Sequence, residues 1–114
     1  MLLISLGQGR PAKEIVMALY VHLVKMTREG AGKIRDLAGE YAKVKKYNES
    51  LGAKILCTVA CFGEYDFVSV TEYPNEVAAL KAAGYATSMG SVQMQTLPAC
   101  QIEDFFKVMS ELPR

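Results

Sequence analysis

The chain has 114 residues, 51% hydrophobic and 22% charged, with 13 basic against 12 acidic side chains and a net charge of +1. That length suits one compact domain, able to bury roughly two-thirds of its unfolded surface without metal or disulfide, and the apolar content with near-zero charge excludes disorder. No apolar run approaches the roughly 18–20 residues of a membrane span, and so small a net charge gives little long-range attraction to nucleic acid.

The first residues differ in character from the rest of the chain. Met1 to Leu6 is too short, and lacks the basic flank, for a secretory signal. Gly7-Gln8-Gly9-Arg10-Pro11 holds turn formers but not the Lys-Ser/Thr ending of a phosphate loop. Met17 stands directly before the first strand, and Lys13-Glu14 can be encoded by a purine-rich stretch resembling a bacterial ribosome-binding site. Residues 1–17 are therefore expected to be an N-terminal extension, non-native or disordered, with translation starting at Met17 and the domain occupying 18–114. The intact mass of protein from its native source tests this.

Ala18 to Met26 is rich in β-formers and apolar on both faces, with Leu19, Val21 and Leu23 on one and Tyr20, Val24 and Met26 on the other. Thr27 can cap a helix. Its buried stripe is Ile34, Leu37, Tyr41, Val44 and Leu51, interrupted by polar Asn48, with Lys33, Arg35, Glu40, Lys43 and Lys46 outside. Gly52 supplies a left-handed stop. Ala53 to Ala60 predicts a second strand with Ile55, Cys57 and Val59 on one face. Phe62-Gly63-Glu64-Tyr65 then turns tightly into a third, Asp66 to Tyr73, making an antiparallel hairpin. Pro74-Asn75 opens an alanine-rich helix to about Met89, ended by Gly90. Ser91 to Leu97 alternates Val92, Met94 and Thr96 against Gln93, Gln95 and Leu97 as the fourth strand. A terminal helix carries the stripe Ile102, Phe105, Phe106, Met109 and Leu112.

The order β-α-β-β-α-β is the ferredoxin-like, split-βαβ arrangement: an α+β fold with a four-stranded antiparallel sheet, right-handed crossovers and a C-terminal helix. Helices cover one face of such a sheet, yet these strands are apolar on both. A second copy of the chain is the simplest cover, so a homodimer or higher homo-oligomer is expected.

Charge is uneven along the chain: ten basic against five acidic residues up to Lys54, three against seven after it. Lys43-Val-Lys-Lys-Tyr47 reads as a solvated helix face rather than a nucleic-acid site. Three cysteines, Cys57, Cys61 and Cys100, are an odd number behind no secretory signal, which points to a reduced, cytoplasmic protein. With His22 they match no paired-ligand spacing for zinc, and no metal is expected.

The hairpin Gly63-Glu64-Tyr65-Asp66, the strand from Tyr20 to Thr27 and the segment Ser91 to Leu97 resemble the GYD domain proteins, a small bacterial and archaeal family of the dimeric α+β barrel group. The resemblance runs from about Leu19 to Leu112. It implies the fold and dimerisation, and no established activity. The wider barrel group includes cofactor-independent monooxygenases, haem-degrading enzymes, lactone isomerases and amino-acid-sensing domains, but none of their catalytic patterns can be placed here residue by residue.

Candidate chemistry is sparse. His22, the sole histidine, sits mid-strand and is either a general base or a satisfied core residue. Tyr65 and Asp66 are an acid/base candidate, although neighbouring strand positions face opposite ways. Tyr20, His22, Thr58, Ser69, Gln93 and Gln95, with Thr71, would line a polar pocket if they shared a face. Tyr20, Tyr41 and Tyr85 could stack on an aromatic ligand, and haem ligation by His22 is disfavoured. The preferred reading is a cytoplasmic homo-oligomer that binds a small organic molecule between sheet and helices, with no cofactor. The alternatives are a cofactor-independent monooxygenase or isomerase using His22 as base, and a non-catalytic assembly or regulatory module.

Overall fold

The computed structural model describes residues 17–114, so the expectations for the leader lie outside the described residues. Four strands, β1 (Ala18–Met26), β2 (Lys54–Ala60), β3 (Phe67–Tyr73) and β4 (Val92–Ala99), form one sheet in the order β2-β3-β1-β4, every neighbouring pair antiparallel. Helices α1 (Arg28–Gly32), α2 (Leu37–Ser50) and α3 (Glu76–Ser88) fill the two crossovers, and α4 (Ile102–Met109) comes after β4. The arrangement is the expected ferredoxin-like α+β fold. No helix among the described residues is long and apolar enough to cross a membrane.

The first crossover departs from a single long helix. Thr27 caps α1 as predicted, its Oγ1 accepting from Gly30 N at 3.0 Å. The glycines of Gly30-Ala31-Gly32 favour helix poorly, and Lys33 leaves helical geometry, so a 3-10 turn (Ile34–Asp36) intervenes before α2. Gly30 has a further reason to be glycine: a Cβ there would overlap the Ser91 carbonyl oxygen. The same corner is tied down by Thr27 N donating to Ser91 O at 2.9 Å and Thr27 Oγ1 donating to Gly90 O at 2.7 Å. Gly52 and Gly90 take the positive φ anticipated at helix ends, +81° and +82°.

Register assigns the faces. His22 pairs with Ser69 and Thr96, and Tyr20 with Thr71, placing these residues with Val24, Phe67 and Met94 beneath the helices. Leu19, Val21, Leu23, Val68, Val70 and Leu97 fall on the open face. In β2 the expected row of Ile55, Cys57 and Val59 is broken. A bulge between Ile55 and Cys57 makes Leu56 the extra residue, so Ile55 shares the face of Thr71 while Cys57 and Val59 turn to the open side.

The two helices meet the sheet differently. Asn75 caps α3 by accepting from Ala78 N at 2.9 Å, and Ala78, Ala79, Ala82 and Ala86 bury a smooth face against the sheet and Tyr73. Small side chains permit this close approach. Helix α2 presents Leu37, Tyr41 and Val44 instead, and a cleft separates it from β2 and β3. Helix α4 has no such seat: Ile102, Phe105, Phe106 and Met109 are all exposed, as is Leu112 just beyond it.

Candidate functional site

The cleft under α2 has a volume of about 410 Å³. Most of its wall is apolar, built from Val24, Val44, Ile55, Phe67, Met89 and Met94. Polar atoms enter as two hydrogen-bonded chains. Both arise from strand alternation, which sends residues 22, 58, 69, 71 and 73 to the helix side.

The first chain is buried and crosses from helix to sheet. Asn48, the polar break in the α2 stripe, donates from Nδ2 to Val44 O at 2.8 Å, which orients its Oδ1 to accept from the Tyr73 hydroxyl at 2.8 Å. With its hydrogen so committed, Tyr73 can only accept from His22 Nε2, 2.8 Å away. His22 therefore carries its proton on Nε2, and Nδ1 accepts from the Thr96 hydroxyl at 2.9 Å. His22 and Asn48 are each 4% exposed and Tyr73 is 1% exposed. Burial lowers the His22 pKa and keeps the ring neutral, while burial pushes the Tyr73 hydroxyl up to about 12. Both nitrogens of His22 are thus engaged within the protein, which leaves no free lone pair for a base or a metal ligand facing the cleft.

The second chain is a row of hydroxyls along the cleft floor. Tyr41 donates to Thr58 Oγ1 at 3.1 Å, Thr58 donates to Ser69 Oγ at 3.4 Å, and Ser69 and Thr71 share a bond of 3.2 Å. At the rim, Glu40 holds Lys33 at 3.0 Å, and Lys33 also reaches Glu29 at 3.3 Å. The Ser91 hydroxyl and the Lys33 ammonium lower the Glu40 pKa. Ser91 Oγ nonetheless has no partner at hydrogen-bonding geometry among the described residues, so its effect on Glu40 is one of proximity.

Of the residues singled out from sequence, His22, Thr58 and Ser69 come together in the cleft. Tyr20 shares their face but packs edge-on against Tyr73 at 5.7 Å between ring centroids, rather than lining the cleft. Gln93 and Gln95 lie on the open face, opposite His22, because β1–β4 register pairs them with Lys25 and Leu23. Tyr65 goes with them, donating to Gln95 Oε1 at 3.1 Å. Asp66 closes the end of β1: its Oδ2 accepts from Met26 N at 2.7 Å, and its own N donates to Val24 O at 2.8 Å. Tyr65 and Asp66 are thus engaged in separate structural contacts, and neither lines the cleft. Cys57 on the open face is likewise parted from His22, and no cluster of three metal-ligating side chains occurs among the described residues. Sequence reasoning missed Tyr73 and undervalued Asn48. The available signal was a polar residue set inside an apolar helical stripe, facing a strand end.

The sequence profile of the GYD domain matches residues 20–109, from β1 to the end of α4. The chain belongs to the GYD domain family. Over 92 residues this GYD protein is 29% identical to the glutamine synthetase and cystathionine beta-lyase binding protein of Thermus thermophilus, covering 77% of this chain and 94% of that one. A solved structure of a protein of unknown function from Nitrosomonas europaea aligns with a TM-score of 0.42 at 15% identity, covering 75% of this GYD protein and 89% of that chain.

Proposed function

We propose that this GYD protein is a homo-oligomer that binds a small organic ligand between α2 and the sheet, in a cytoplasmic setting and without a resident cofactor. The cleft carries the reading. Its volume of about 410 Å³ and its apolar wall with a few convergent hydroxyls match the size and chemistry of small-molecule sites. The oligomer is supported by the second sheet face, where Val21, Leu23, Val68 and Val70 form an apolar centre rimmed by Lys25, Glu72 and Gln95. His22 as a catalytic base fits less well, since both of its nitrogens are engaged.

Native mass spectrometry of the purified protein tests both parts. The expected result is an assembly of at least two chains carrying a co-purified small molecule, with the added mass lost in Val44→Trp, which fills the cleft. A bare chain that stays monomeric at micromolar concentration overturns the reading.

A second reading has its own support. The relative from Thermus thermophilus is named for binding two enzymes, and α4 displays Ile102, Phe105, Phe106 and Met109 unpaired. An exposed apolar stripe of this kind is characteristic of interaction surfaces, so the chain would serve as an assembly or regulatory module. Truncation after Gln101 separates the readings. Loss of partner capture with the cleft's ligand retained favours the module.

A further inference from the structure

We propose that the cleft selects an uncharged, largely apolar molecule bearing one acceptor oxygen, such as a ketone, and receives that oxygen on the Ser69–Thr71 hydroxyls. This inference rests on the small-ligand reading above and adds the chemistry of the occupant.

The hydroxyl row sets the polar requirement. Tyr41, Thr58, Ser69 and Thr71 carry one hydroxyl hydrogen each, and three hydrogen bonds join them in sequence. One hydrogen is left over, with no acceptor at hydrogen-bonding geometry among the described residues. A hydroxyl buried beneath a ligand needs an acceptor in that ligand, or the complex bears the desolvation cost of an unpaired donor. An oxygen acceptor meets the need. A pure hydrocarbon does not.

Charge sets the second requirement. Among the described residues Glu40 is the one charged side chain lining the cleft, and Lys33 at 3.0 Å already neutralises it. No described Lys or Arg lines the wall to receive an anion, whose transfer to an apolar site is costly without a partner. A cation would have to displace Lys33 from both Glu40 and Glu29. The buried chain offers no charge either, since His22 is held neutral between Tyr73 and Thr96. The remaining wall is apolar and takes the body of the molecule.

Three probes of nearly equal shape resolve the two requirements: 2-acetylnaphthalene, 2-ethylnaphthalene and 2-naphthoate, titrated against the full chain by fluorescence anisotropy of the naphthalene ring at pH 7.5. The ketone should bind about 3–10-fold more tightly than the ethyl compound, the worth of one neutral hydrogen bond, and at least about tenfold more tightly than the carboxylate. Thr71→Val should reduce the ketone's advantage, and Ser69→Ala combined with Thr71→Val, which removes both hydroxyls able to carry the spare hydrogen, should bring the ketone close to the ethyl compound. Thr71→Val keeps the side-chain shape, so the test survives if Ser69→Ala disturbs β3. Equal or tighter binding of naphthoate, or a ketone advantage that persists in both variants, overturns this inference while the small-ligand reading stands. Binding of none of the three overturns both.

Discussion

Tyr73→Phe is the sharpest test of the buried chain. The ring stays, so its packing against Ala78, Ala79 and Ala82 is kept. The lost hydroxyl serves two partners at once, accepting from His22 Nε2 and donating to Asn48 Oδ1, both at 2.8 Å. Each of those groups is almost wholly shielded from water, so each would be left unsatisfied at about 1–3 kcal/mol. The variant should therefore lose about 2–6 kcal/mol, well above the roughly 1 kcal/mol of an ordinary hydrogen-bond deletion. Urea unfolding at fixed protomer concentration measures it, with an unchanged m-value showing that only stability has moved. Adding Asn48→Leu removes one orphan and should recover part of the loss, a non-additivity that a double-mutant cycle quantifies. A loss below about 0.5 kcal/mol in the single variant would refute the assignment of donors and acceptors along this chain.

The same geometry sets three further outcomes. Because burial lowers the His22 pKa, the unfolded chain binds a proton near pH 6.5 that the folded chain refuses until lower pH. Stability should fall as pH drops below about 6.5, by at most about 1.4 kcal/mol per pH unit, and His22→Gln should flatten that part of the profile in urea titrations. Gly30→Ala forces a Cβ into the Ser91 carbonyl and should cost about 1–3 kcal/mol through displaced backbone, read as a lowered Tm. Val70→Lys places a charge at the centre of the open sheet face and should shift sedimentation velocity profiles to the single chain, while ligand capture by the cleft persists.

The fold was legible because hydrophobic period and punctuation agreed. Alternation of Val92, Met94 and Thr96 against Gln93, Gln95 and Leu97 fixed β4, and Gly52 and Gly90 marked helix ends where a positive φ was needed. Two local features had no signal of that kind. The bulge at Leu56 depends on β2–β3 pairing, which no single strand reveals, and the need for glycine at position 30 comes from close approach to Ser91 across the domain. The site was harder still. Which polar strand residues share a face depends on register between strands distant in sequence, and that register puts Thr58 and Ser69 with His22 beneath the helices and Gln93 and Gln95 on the open side. Asn48 and Tyr73 escaped because their roles arise only when α2 crosses over the end of β3.

The alanine face of α3 and the stand-off of α2 divide this small domain into a tight half and a hollow one. Whatever fills the hollow contributes apolar contact that the polypeptide itself does not supply there. Occupancy and thermal endurance are then linked by mass action: an occupant present at a hundred times its dissociation constant would add about 2.7 kcal/mol. Cellular lifetime of the chain would rise and fall with the abundance of its guest, making turnover itself a report on that molecule's concentration.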